Sequence, residues 1–171
     1  MHIREENRER HTLSVIVDNE PGILARIAGL FTARGYNIES LTVTDITDDN
    51  LVSRITIVTS ASPSVMEQII AQLDRLVPVH KVTDLTAFGP HVERELALVK
   101  VAGTGDHRIE ALRLAEVYLA RVIDATTSSF GFEVTGGPEK IDKFVELMRE
   151  VGLIEVARTG IVAIARGKDA A

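Results

Sequence analysis

"HTLSVIVDNEPGILARIAGLFTARGYNIESLTV", His11 to Val43, changes its hydrophobic period twice. Leu13, Val15 and Val17 recur at every second position, the spacing of a half-buried strand. Leu24, Ile27, Ala28 and Phe31 then fall at i, i+3, i+4 and i+7, which predicts a helix opening after Pro21 and stopping at Gly35, with Arg34 in its last turn. "NIESLTVTDI" (37–46) returns to strand character, so the stretch reads as strand, helix, strand.

Downstream, "TDDN" (47–50) is a turn and "LVSRITIVT" (51–59) a third strand. Ser62-Pro63 opens a second helix, Ser64 and Glu67 have capping-box spacing, and Met66, Ile69, Ile70 and Leu73 form its buried face. "VHKVTDL" (79–85) completes the order β-α-β-β-α-β, which closes as a four-stranded antiparallel sheet with both helices on one side. After "TAFGPHVERE" (86–95) the rhythm restarts: strand "LALVKVA" (96–102), a helix from about Asp106 to Tyr118, strands "RVIDAT" (121–126) and "FGFEVTG" (130–136), a helix opened by Pro138 with Ile141, Phe144, Val145 and Met148 inside, and strand "GLIEVAR" (152–158). A last apolar run, "GIVAIARG" (160–167), follows a turn at Thr159-Gly160 and suits an edge strand or a subunit contact.

The fold class is therefore α+β, with two ferredoxin-like βαββαβ domains spanning residues 1–86 and 87–171. Domains of this size bury little surface alone, so a homodimer or larger assembly is expected.

Among 171 residues, 45% apolar and 26% charged, no apolar run approaches the roughly 20 residues of a membrane-spanning helix. The opening "MHIREENRERH" has no apolar core of a secretory signal, and the chain has no cysteine for disulfide or thiolate chemistry; the expected location is cytoplasmic. A net charge of −6 with scattered Lys and Arg argues against nucleic acid as a partner.

No motif of a serine hydrolase, zinc protease or phosphate loop occurs, and the histidines at 2, 11, 80, 91 and 107 lack metal-ligand spacing. "GTGDHR" (103–108) lacks the third glycine of a dinucleotide fingerprint and reads as a tight strand-to-helix connection. Neither catalytic residues nor a metal site is expected. The helix start at Gly22 is different: glycine leaves the first-turn N–H groups open, and these, at the positive end of the helix dipole, are met either by water or by a carboxylate.

The pattern N-E-P-G-I-L-x-R-I-x-x-L-F-x-x-x-G-x-N-I, starting at Asn19, closely resembles the ACT-domain signature, with asparagine where most ACT domains carry aspartate. That asparagine, together with "RGYNIESLTV" (34–43), "HVERELALVKV" (91–101) and "IEVARTGIVAIARG" (154–167), resembles the small regulatory subunit family of acetolactate synthase over nearly the whole chain. The resemblance implies an N-terminal ACT domain for effector binding and dimerisation and a C-terminal ACT-like domain that contacts the large catalytic subunit. That subunit would carry thiamine diphosphate, a divalent metal (Mg) and FAD, with no cofactor on this chain.

It further implies an effector site for valine or a related branched-chain amino acid, built from Asn19, Pro21, Gly22, Ile23 and Leu24 of one chain and Asn37 and Ile38 of its dimer mate. "HVERE", Lys100 and "ARTG" are candidate contacts with the catalytic subunit, or else linker and ordinary sheet edges. The implied function is activation of that subunit and feedback inhibition by valine; the alternative is a free-standing ACT-type amino-acid sensor acting through another regulatory protein.

Overall fold

The computed structural model describes residues 8–168 and 170, and the chain divides into two compact units. The first runs up to Val92 and takes in the segment from Ile161 onward; the second is Glu93–Gly160. The sequence division at 86/87 thus differs at both ends. A strand start and the last apolar run join the first unit.

The first unit follows the expected order: β1 (Glu9–Asp18), α1 (Ile23–Ala33), β2 (Ser40–Asp45), β3 (Val52–Ala61), α2 (Pro63–Asp74) and β4 (Val79–Asp84). The strands form a sheet ordered β2-β3-β1-β4, all neighbours antiparallel. Val15 lies opposite Ile55 on one side and Val82 on the other, so the alternation read from sequence becomes one apolar face. That face packs on Ile27 and Phe31 of α1 and Met66, Ile69 and Leu73 of α2.

Helix α1 buries Ile23, Ile27 and Phe31, whereas Leu24, assigned to the core from spacing, is 40% exposed. Helix α2 begins with Pro63 at its first position and Ser62 as N-cap, so the Ser64–Glu67 capping box does not form. The hydroxyls of Ser62 and Ser64 instead lie 3.2 Å apart.

A four-residue helix, α3 (Leu85–Phe88), occupies what reads in sequence as linker. The Asp84 carboxylate caps it, accepting from the Thr86 and Ala87 N–H groups at 3.0 and 3.3 Å, while its other oxygen holds buried His11 Nδ1 at 2.7 Å.

The second unit comprises most of β5 (His91–Ala102), with α4 (Asp106–Val117), β6 (Arg121–Ala125), β7 (Ser129–Gly136), α5 (Pro138–Glu150) and β8 (Leu153–Arg158), its strands ordered β6-β7-β5-β8. Its core joins Val99, Val101, Phe132 and Val134 to Ile141, Phe144, Val145 and Met148, the four α5 residues that sequence spacing assigns inward. Gly152 sits at φ +110, and a Cβ there would lie 2.8 Å from the Ala102 carbonyl oxygen, beside the register shift between Lys100 and Val101. A last strand, β9 (Val162–Ala165), falls in the first unit. Within the first unit, the Arg166 N–H donates to the Pro90 carbonyl at 2.9 Å.

Candidate functional site

The loop from Asp18 to Gly22 is fixed by its own backbone. The Asn19 N–H donates to the Leu51 carbonyl and the Asp18 N–H to the Pro78 carbonyl, both at 2.8 Å, while the Asn19 side-chain amide donates to the Asn50 carbonyl at 2.9 Å. The turn it leans on is self-supported: Thr47 and the Leu51 N–H hold the Asp49 carboxyl below its usual range, with Leu51 N to Asp49 Oδ1 at 3.1 Å.

Gly22 caps α1 at φ +86, ψ −3, a left-handed conformation that favours glycine. No side chain caps this end, and the Cβ direction of Gly22 is open for 4 Å. The Ile23 N–H donates to the Glu20 carbonyl at 3.3 Å and the Arg26 N–H to the Gly22 carbonyl at 3.0 Å. Among the described residues, the N–H groups of Gly22, Leu24 and Ala25 meet no acceptor. They form a small exposed cluster of donors at the positive end of α1.

Ile23 differs from the sequence expectation. Its side chain is 6% exposed and belongs to the core, and its N–H donates to the Glu20 carbonyl, whereas Leu24 and Pro21 are exposed.

At the other end of α1, Gly35 takes φ +69 and donates to the Thr32 carbonyl, and the Tyr36 N–H donates to the Phe31 carbonyl at 2.9 Å. Tyr36 packs edge-on against Phe31 with ring centroids 6.4 Å apart, completing a Schellman ending with its hydrophobic contact. The direction of the following residues is thereby fixed. Asn37 is exposed, its carbonyl accepting from Thr59 Oγ1 at 2.6 Å, and Ile38 is half-buried against the core.

The two halves of the expected site are therefore far apart within one chain. The 11 residues of α1 span about 16 Å at 1.5 Å each. The sheet agrees: Asp18 lies opposite Val52 and Ser40 opposite Val58, a separation of roughly 20 Å along β3. Residues 19–24 and 37–38 of a single chain do not meet around one small molecule.

Glu95, Lys100, Arg158 and Thr159, among the residues singled out in the second half, make bonds within their unit. Arg158 grips Glu95 with both arms, 2.8 Å from Nε to Oε1 and 2.6 Å from Nη2 to Oε2, and reaches Asp142 Oδ1 at 2.7 Å. Glu95 is 5% exposed, and its carboxylate raises the affinity of the Arg158 guanidinium for its proton. Lys100 pairs with Glu155 at 2.8 Å, and the Thr159 hydroxyl accepts from the Leu96 N–H at 3.1 Å. These residues fasten β5 to β8.

Two antiparallel sheets with interleaved helices, and a glycine-opened helix start facing solvent in the first, define an ACT-type protein with two ferredoxin-like βαββαβ units. Family models are specific: one described as "AHAS small subunit-like ACT domain" matches residues 13–81, and one described as "Small subunit of acetolactate synthase" matches residues 94–167. A probable acetolactate synthase small subunit of Archaeoglobus fulgidus is 47% identical over 158 residues, covering 92% of this chain and 98% of that protein. The acetolactate synthase isozyme 3 small subunit of Escherichia coli is 46% identical over 159 residues, 92% of this chain and 96% of its own length. The crystal structure of the acetolactate synthase small subunit from Thermotoga maritima superposes with a TM-score of 0.83 at 36% identity, over 94% of this chain and 99% of that one. This chain belongs to the acetolactate synthase small-subunit family.

Proposed function

We propose that this chain is a non-catalytic regulatory subunit. It docks on a large catalytic subunit of acetolactate synthase, raises its activity, and mediates feedback inhibition by valine or a related branched-chain amino acid in the cytoplasm. The thiamine diphosphate, Mg and FAD of the reaction reside on that partner, with effector binding assigned to the first unit and partner contact to the second.

The observation that carries the effector reading is the separation of the two ends of α1. A ligand touching both Gly22 and Asn37 requires two copies, the second turned so that its Asn37 and Ile38 meet the first copy's loop. In such a pair the ligand carboxylate accepts from the Gly22 and Leu24 N–H groups. The Asn19 amide, its nitrogen engaged by the Asn50 carbonyl, keeps Oδ1 for the ligand's ammonium. Leu24, Pro21 and the partner copy's equivalent of Ile38 enclose a short branched side chain.

Valine inhibits in this scheme by binding the less active arrangement better. Couplings between sites of about 1–3 kcal/mol are typical, whereas driving an equilibrium from 1:99 to 99:1 takes about 5.5 kcal/mol, so inhibition is partial. The test is acetolactate formation from pyruvate by a cognate large subunit alone, with this protein, and with this protein plus valine. Stimulation that valine partly reverses supports the reading; absence of stimulation overturns it and favours an amino-acid sensor that acts through another protein.

A further inference from the structure

The helix-free face of the first sheet carries residues that the effector loop does not use. In the β1–β3 register Ser14 lies opposite Thr56 and Ile16 opposite Arg54, and on the other side Ile16 faces Lys81 of β4. These residues point away from α1 and α2, because Leu13, Val15, Val17, Ile55 and Ile57 fill the opposite face. The face is not open to solvent throughout. The Ile161 N–H donates to Ser40 Oγ at 2.9 Å and Thr42 Oγ1 donates to the Ile161 carbonyl at 3.0 Å, which lays the last strand across it.

Between this face, α3 and the last strand lies a cavity of about 250 Å³. Its chemistry is one-sided: Arg54, Lys168 and Ser14 line it, and none of the described lining residues is acidic. Arg54 Nε and Ser14 Oγ are both buried without a hydrogen-bond partner, and Ser14 as a whole is 2% exposed. Arg54 as a whole is half-buried; its guanidinium has five donors in a planar fork that matches an oxyanion, and leaving the enclosed Nε–H without an acceptor is unfavourable.

We propose that this cavity is a binding site for a small oxyanion, a carboxylate or a phosphate, held by the Arg54 guanidinium and the Ser14 hydroxyl and distinct from the α1 loop. The fork supplies two parallel charge-assisted bonds and the hydroxyl a third, and Lys168 adds a second positive charge on the wall formed by the chain's end. Ala163, Ala165 and Gly167 belong to that wall, so an anion bridging Arg54 and the roof ties the last strand to the sheet.

The experiment uses the full-length protein in chloride buffer, titrated by calorimetry with inorganic phosphate and separately with acetate at matched ionic strength. Saturable binding of either supports the site and identifies its source: phosphate alone a phosphate ligand, acetate alone a carboxylate, both an oxyanion site without preference. Arg54→Met should weaken binding by about tenfold or more, and Ser14→Ala by a few-fold, in line with the loss of charged and neutral hydrogen bonds. Arg54→Lys, which keeps the charge and loses the fork, should fall between and covers the case in which the methionine variant folds poorly. Hydrogen exchange should slow in residues 163–168 on adding the bound anion to the wild type and not to Arg54→Met. No saturable binding of either anion, or binding that Arg54→Met and Arg54→Lys both leave unchanged, overturns the proposal.

Discussion

Replacing Gly22 separates the two things the residue does. At φ +86 it holds a conformation that costs an ordinary L residue about 1–2 kcal/mol, and its missing side chain leaves the donors of α1 open. Nothing lies within 4 Å of the Cβ direction, so substitution brings strain and charge without a clash. Asparagine and aspartate tolerate the left-handed region better than most residues, which makes Gly22→Asn and Gly22→Asp a matched pair differing by one charge. Both should fold with a loss near 1 kcal/mol, a fall in Tm of about 2–4 °C at this chain length.

In the proposed site the aspartate stands where the carboxylate of valine would bind. Two like charges about 4 Å apart repel by about 1 kcal/mol in bulk water and about 4 kcal/mol at an effective dielectric of 20. The expected loss of affinity for Gly22→Asp over Gly22→Asn is therefore between about fivefold and about a thousandfold, with the upper end applying if a second copy closes the site. Calorimetric titration of both variants with valine, alongside their melting curves, measures it. Equal valine affinity for the two folded variants would refute the placement of the carboxylate at this helix start.

Three further outcomes follow from the second unit. Arg158→Met leaves the buried Glu95 carboxylate without its bidentate partner and should cost about 2–4 kcal/mol, somewhat below a fully buried pair because Arg158 is 35% exposed; chemical denaturation showing less than 0.5 kcal/mol of loss, about the scatter of a neutral surface change, would contradict this. Gly152→Ala combines a positive φ with a contact of 2.8 Å to the Ala102 carbonyl and should destabilise by about 2 kcal/mol or more, read by the same method, with β8 and β5 losing hydrogen-exchange protection first. The Lys100–Glu155 pair lowers the Glu155 carboxyl below its ordinary value and raises the Lys100 ammonium above its own. A depressed carboxyl stabilises above its unfolded value and loses that as pH falls through the folded one; the raised ammonium stabilises below its unfolded value and loses that as pH rises through its folded one. Stability attributable to the pair should thus be flat near neutrality and fall at both extremes, and Glu155→Gln should remove both limbs, since Glu155 is also the main cause of the raised Lys100 value.

The order of elements was legible because each unit alternates period cleanly: Val15 between Ile55 and Val82, or Ile141, Phe144, Val145 and Met148 along α5, admit one inward face. Spacing failed at Ile23 and Leu24. Two adjacent apolar residues fit a stripe equally, and the left-handed turn at Gly22 that sets the helix's rotation is a backbone event. The short helix after Asp84 hid in a segment of glycine, proline and charge, though an aspartate two residues before a threonine is the chemistry of a cap. The loop that opens α1 stood out through its signature, and the resemblance assigns Asn37 to a second copy; the strand register adds the distance that separates the two ends within one chain. Arg54 gave no signal, because a charged residue alternating with apolar ones reads as the wet side of a strand, and only the returning chain end makes that side a buried wall.

The most direct test of an effector site shared by two copies is complementation between broken ones. Gly22→Asp chains and Asn37→Asp chains, each failing to bind valine alone, are mixed and reassociated, and binding is measured calorimetrically. If the site takes Gly22 from one chain and Asn37 from the other, each mixed dimer regains one intact site of its two, and because random reassociation makes about half the dimers mixed, roughly a quarter of the wild-type capacity returns. If both residues act within one chain, every site stays damaged, and the absence of any restored binding would contradict the account.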